Sequence, residues 1–249
     1  MKQIRFWVPI FLLALVTACN FTEELYLEED GSGKLNIHFD GSEMMAMIGA
    51  MDSTGQEKAI DSTIVFKELL EEKKDSIAQL SPEEQKKLRR LEPFTMHMVM
   101  DPEEKKMTFD LFSEFDDVSE VNDAYNAFQD ASAIGPTQQA DITQQGPMGG
   151  AAPATTRVTY HFKKNTFKRS IEIIDEELFK KGLDSLKSAE MFLSGSTYTF
   201  KYHFPRKVKS TNVEGATFSL DGKTMTYQVD FLQMMKDPES VVLEVELED

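Results

Sequence analysis

Thr22-Glu23-Glu24-Leu25-Tyr26-Leu27-Glu28 and Lys34-Leu35-Asn36-Ile37-His38-Phe39-Asp40, joined by Glu29-Asp30-Gly31-Ser32-Gly33, are the stretch that decides the fold class. Leu25 and Leu27 share one face of the first segment, with Glu24, Tyr26 and Glu28 on the other. Leu35, Ile37 and Phe39 form the inward set of the second. A period of two on both sides of a turn built from Asp, Gly and Ser predicts a β-hairpin. Glu23 and Glu24 fit the polar edge of its first strand.

The signature recurs along the chain. Phe94–Met100 and Lys106–Phe115 flank Asp101-Pro102-Glu103-Glu104, Arg157–Lys163 and Thr166–Ile173 flank Lys164-Asn165, and Ala216–Leu220 and Thr224–Asp230 flank Asp221-Gly222. Ser196–Phe204 alternates with Tyr198, Phe200, Tyr202 and Phe204 on one face, and Val241–Leu247 is a last strand. Helical spacing marks Ser42–Met51, Ile60–Leu80, Val118–Phe128 and Asp175–Phe192. Ser81-Pro82-Glu83-Glu84 supplies a cap, a first-position Pro and a third-position Glu for a helix ending near Leu91. The expected class is α+β, an antiparallel sheet of hairpins with helices packed on one face, because parallel pairing needs regular strand-helix alternation. Residues 131–155 are Gly, Pro, Gln, Ala and Thr with almost no charge or aromatic, which predicts a flexible linker or long disordered loop. It separates an N-terminal half, 19–130, from a C-terminal half, 156–249, whether these fold as two domains or as one.

Ahead of the first hairpin, Lys2 and Arg5 open the chain, Phe6–Val16 is uncharged and apolar, and small residues lead into Cys19. This reads as an export signal over residues 1–18, too short for a permanent span, which needs ~20 residues of helix. Leu15-Val16-Thr17-Ala18-Cys19 resembles the lipobox of bacterial lipoproteins. The resemblance implies cleavage before Cys19, acylation of its thiol with palmitate-type chains, and attachment to the cell envelope by lipid, with the outer membrane the expected address and its periplasmic or surface face open. The first strand would then begin about three residues after the anchor, holding the body close to the membrane.

Loss of Lys2 and Arg5 takes the formal charge from -16 to -18. A phosphate backbone is held through Lys and Arg, so nucleic acid is excluded as a partner unless a basic patch is segregated, and the densest basic run, Phe204–Lys209, is small. Anionic headgroups repel the body in the same way, so the membrane is expected as a partner only through the lipid. Cys19 is the only cysteine, so no disulfide supports the fold.

Chemistry-bearing patterns are sparse. No phosphate-binding loop, dinucleotide fingerprint, nucleophile elbow or His-Glu-x-x-His helix occurs, and a non-enzymatic protein without a cofactor is expected. His38, His97, His161 and His203 each fall on the polar face of a predicted strand, and neighbouring strands would let two or three imidazoles converge on zinc or copper. Met44, Met45, Met47, Met51, Met96, Met98, Met100, Met107, Met234 and Met235 read as adaptable core filling or as a plastic groove for an apolar ligand or partner protein. The leading expectation is a lipid-anchored envelope module that binds such an occupant near the membrane; the alternatives are a metal-handling lipoprotein and an unrecognised hydrolase.

Glu29-Asp30-Gly31-Ser32-Gly33 after the lipobox Cys, and Phe218-Ser219-Leu220-Asp221-Gly222-Lys223 late in the chain, resemble the hairpins of LppM-like envelope lipoproteins, with the pattern closest to those of Bacteroidetes. That resemblance implies an α+β ectodomain and transfers no catalytic residue. Asp52-Ser53-Thr54, Asp61-Ser62-Thr63, Asp75-Ser76-Ile77 and Asp184-Ser185-Leu186 resemble the O-glycosylation motif of Bacteroidetes envelope proteins, and fit helix caps and solvated faces as well. Glu23 and Glu24 resemble the acidic patch that directs some Bacteroidetes lipoproteins to the cell surface.

Overall fold

The structure, a computed structural model, describes residues 19–43, 45–46, 59–132 and 155–249. The export signal, most of the Ser42–Met51 helix and nearly all of the 131–155 linker lie outside the described residues.

The opening hairpin forms as its alternation requires, β1 (Asn20–Leu27) against β2 (Gly33–Asp40), in register from Asn20 opposite Asp40 to Leu27 opposite Gly33. Gly33 is there because the Tyr26 carbonyl oxygen lies only 1.9 Å from where its Cβ would stand. The turn is closed by Asp30, whose Oδ1 accepts from the Ser32 amide and hydroxyl, and by Gly31 at φ 91°.

Two sheets result. Eight strands run in the order β10-β11-β8-β1-β2-β5-β4-β3, with β3 (Ile60–Val65), β4 (Thr95–Asp101), β5 (Lys106–Phe115), β8 (Thr197–His203), β10 (Thr217–Phe218) and β11 (Thr224–Asp230). The second sheet is β6 (Thr156–Lys163), β7 (Thr166–Ile173), β12 (Leu243–Leu247) and β9 (Val208–Thr211), in that order. Pairing is antiparallel except where β1 meets β8 in parallel, joining strands from both halves of the chain at the centre of the larger sheet.

Among the residues described throughout, the helices are α1 (Phe66–Glu72), α2 (Lys74–Ile77), α3 (Pro82–Arg90), α4 (Ala124–Ser132), α5 (Glu176–Leu193) and α6 (Phe231–Lys236). Ser81 caps α3 with the full box expected of Ser-Pro-Glu-Glu: its hydroxyl accepts from the Glu84 amide while the Glu84 carboxylate accepts from the Ser81 amide. Two predicted helices change. Ile60–Val65 is an edge strand paired with β4, because Thr63-Ile64-Val65 is a β-branched run and only Phe66 onward is free to coil. The Val118–Phe128 helix is a 3-10 turn, Val118–Val121, followed by α4, broken at Asp123, which sits at φ 61°.

That break serves β6. The Asp123 amide donates to the Val158 carbonyl (2.9 Å), Asp123 Oδ1 accepts from the Val158 amide (3.0 Å), and Asn122 Oδ1 accepts from the Tyr160 amide (2.7 Å). Asn126 Nδ2 donates to the Thr156 carbonyl (2.8 Å).

The core lies on one face of the eight-stranded sheet. There Phe21 stacks on Phe231 of α6 (4.3 Å between centroids) and meets Phe128 of α4 edge-on (6.3 Å). Alongside these helices the four-stranded sheet packs Phe167 against Tyr202 and Phe204. Cys19 has the parity of Phe21 and packs into the same core, 2% exposed. Met96, Met98, Met107 and Met234 are buried there, the core-filling role of that residue. Among the described residues no helix is long and apolar enough to cross a membrane.

Candidate functional site

Where the sheets meet, apolar packing gives way to one polar cluster. Glu23 shares parity with Phe21, Leu25 and Leu27, so it points inward and is fully buried; this corrects the expectation that it belongs to a polar edge or a surface acidic patch. Opposite it, Arg169 of β7 is 2% exposed. Arg169 donates through Nε to Glu23 Oε1 (3.1 Å) and through Nη2 to Oε2 (3.3 Å), a bidentate pair. The hydroxyls of Tyr160 (2.8 Å) and Tyr202 (2.5 Å) also donate to Oε1, and that of Tyr198 (2.8 Å) to Oε2. Phe200, between the two tyrosines of β8, lies under the guanidinium, 4.8 Å from its carbon to the ring centroid, and Arg169 Nη1 reaches the Val241 carbonyl (3.4 Å).

Burial disfavours the Arg169 charge, yet the adjacent carboxylate and phenol oxygens more than reverse this and hold its pKa well above the ordinary value. The three tyrosines are pushed well above theirs, by burial first and by the Glu23 charge second. A carboxylate offers about four lone-pair sites. With five donors on Glu23, no acceptor site is left for a ligand, so the cluster acts as a lock between sheets.

The opposite face of the larger sheet carries a different set. Glu24, one residue on, points outward and accepts from Lys201 (2.8 Å) and Tyr26 (3.0 Å), with His203 Nε2 at 2.9 Å. Burial raises the Glu24 pKa and these partners outweigh it, leaving a net lowering. Tyr26 lies flat on His203, 4.0 Å between centroids and 2° between planes. Across β2, β5 and β4 the register puts His38, Asp110 and His97 in one row. His38 Nδ1 is 2.9 Å from Asp110 Oδ1, and His97 Nε2 is 2.9 Å from Asp61 Oδ1. The hydrogen bond to Asp110 raises the His38 pKa against the opposing effect of burial, and Asp110 is lowered because its bonds to His38 and Asn36 outweigh burial.

Three of the four histidines, His38, His97 and His203, therefore lie on one face of one sheet, while His161 is exposed on β6 of the other, opposite Lys168. Each of the three is directed at its own carboxylate, and among the described residues no group of three or more His, Cys, Asp or Glu is arranged to hold a metal ion. The cluster that does form was signalled only by parity: an acid in the Phe21/Leu25/Leu27 series, and two tyrosines in the inward series of β8.

No family model matches the chain, and no curated protein matches it. Among solved structures, the NMR structure of the folded domain of Mycobacterium tuberculosis LppM aligns over 93% of this chain and 91% of that one, with 9% identity and a TM-score of 0.39.

Proposed function

We propose that the chain is a lipid-anchored cell-envelope module that works by binding, displaying its contact surfaces on a body fixed to the membrane at Cys19. The reading rests on one observation: the lipobox-like string ends at the residue that precedes β1, a strand at the centre of the larger sheet. A lipid at Cys19 would load the middle of the fold directly, with no tether between. The binding character is supported by the sealing of the buried charged cluster and the openness of the outer sheet face, where Tyr26, Phe112 and Lys201 meet solvent.

Acylation has a structural cost at this position. The Cys19 side chain packs inward, so its sulfur must turn out to carry acyl chains, giving up the burial of one small side chain at the end of a strand, where fraying is cheap. Growth of the native producer with labelled palmitate tests the reading. Label on the wild-type chain, its loss in Cys19→Ser and release of that variant from membranes are expected; an unlabelled wild type, or a variant equally membrane-bound, would refute it.

A further inference from the structure

β1 is held on both flanks along nearly its whole length. It is in antiparallel register with β2 from Asn20 to Leu27, and in parallel register with β8 from Asn20 to Tyr26. The ladder bonds run across the strand, so a pull along β1 from Cys19 strains all of them together. A pull from the side would part them one after another.

The far end of the molecule is tied in the same manner. β1 rises about 3.3 Å per residue, so its eight residues put the Glu28–Ser32 turn ~26 Å from Cys19. Arg206 pairs with Glu29 of that turn (3.1 Å) and donates to the carbonyls of Lys164 (3.1 Å) and Glu248 (2.9 Å), which brings the end of β12 beside it. β12 is itself an interior strand, between β7 and β9, and its exit is fastened by the Leu247 amide on the Asn165 carbonyl (2.7 Å) and the Glu248 amide on the Lys207 carbonyl (2.8 Å). Tension between Cys19 and Asp249 therefore runs along an interior strand in each sheet.

Glu23 fixes the register against such a pull. Drawing β1 out by one residue turns every side chain to the wrong face. The smallest slip that keeps the faces is two residues, about 6.6 Å. It would carry Glu23 to the place of Phe21, among Phe39, Phe128 and Phe231. It would also bring Leu25 against Arg169 and the hydroxyls of Tyr160, Tyr198 and Tyr202. Both moves strand buried charge. A buried ion pair adds little stability over apolar side chains of the same size, and its best-attested use is to set register. Here the partners stand on β6, β7 and β8, so load on β1 passes into both sheets at one side chain.

We infer that the fold bears tension applied at Cys19, with β1 as the loaded strand and Glu23 as the pin that stops it sliding. The inference rests on the anchor reading for the point where load enters. A partner gripping the far end would then pull on the bilayer through a body that keeps its shape.

Single-molecule pulling on Cys19–Asp249, which contains every element described, tests this with one handle fused ahead of Cys19 and the other after Asp249. Wild type is expected to rupture at about twice the force, or more, found when the first handle is moved to Glu28→Cys in a Cys19→Ser background, where load enters at the turn and peels the hairpin. Glu23→Gln, or Tyr198→Phe should that variant not fold, is expected to bring the Cys19 rupture force down toward the peeling value. Met98→Ala empties a buried position on β4, away from β1, and should lower the urea midpoint while leaving the Cys19 rupture force near that of wild type. Equal forces in the two directions, or equal losses in the Glu23 and Met98 variants, overturn the inference. Neither handle needs an acyl chain, so an unlabelled wild type in the palmitate experiment refutes the anchor without changing the mechanical result.

Discussion

Glu23 and Glu24 are adjacent carboxylates on one strand, and they live in opposite worlds. Glu23 is fully buried and holds Arg169 and three tyrosines. Glu24 is half-buried on the outer face and holds Lys201, Tyr26 and His203. Both have several partners at good distances, so partner lists alone make them look equivalent. The dielectric separates them: the outer pair is screened, whereas the inner charges have given up water and depend wholly on each other.

The largest test of this contrast removes one inner partner. Arg169→Leu leaves the Glu23 carboxylate buried and unpaired, and chemical denaturation should show a loss of about 3–5 kcal/mol. Glu23→Leu/Arg169→Leu should cost less than the sum of the two single changes, because no charge is stranded; an additive result would mean the pair is not coupled. Tyr202→Phe keeps the ring and removes one donor, so a midpoint shift worth about 1–2 kcal/mol is expected. On the outer face, Glu24→Gln should change stability by at most ~1 kcal/mol, and a loss as large as that of Arg169→Leu would show the two carboxylates to be equally dependent on their partners.

The smallest effect is a pH dependence. His38 has its folded pKa raised above 6.5, so its contribution is fully present below the unfolded value and fades as pH rises through the folded one. Urea midpoints of wild type and His38→Gln should differ more at mildly acid than at alkaline pH, with the imidazole resonance titrating above 6.5. The opposite trend would show that His38 folds neutral. Asp110, whose pKa is lowered, contributes in the other direction: its share is present above the unfolded value and is lost as pH falls through the folded one.

Much of the architecture could be read from alternation, and where it failed the failure has a cause. The hairpins around Asp30-Gly31, Lys164-Asn165 and Asp221-Gly222 form as their turn residues dictate. Ile60–Val65 escapes detection because a short β-branched segment feeding directly into a helix carries too few residues to show its own period. The parallel meeting of β1 with β8, across 175 residues of chain or more, leaves no local trace at all. Glu23 shows the limit most clearly. Residue type says surface, position in the Phe21/Leu25/Leu27 series says interior, and position prevails because Arg169 and the tyrosines, far away in the chain, arrive to receive it. The imidazoles illustrate the reverse: each lies on the strand that alternation predicts, but which carboxylate His38, His97 and His203 take depends on cross-strand register.

The left-handed turn at Asp123 reaches beyond its own loop. A sheet that ends in a bare strand invites another chain to extend it. Here an incoming strand would find Thr156, Val158 and Tyr160 already occupied by Asn122, Asp123 and Asn126, and would have to break those bonds before making its own. Asp123→Pro or Asn122→Leu should accordingly make the protein elongate into fibres, visible by light scattering before any loss of secondary structure.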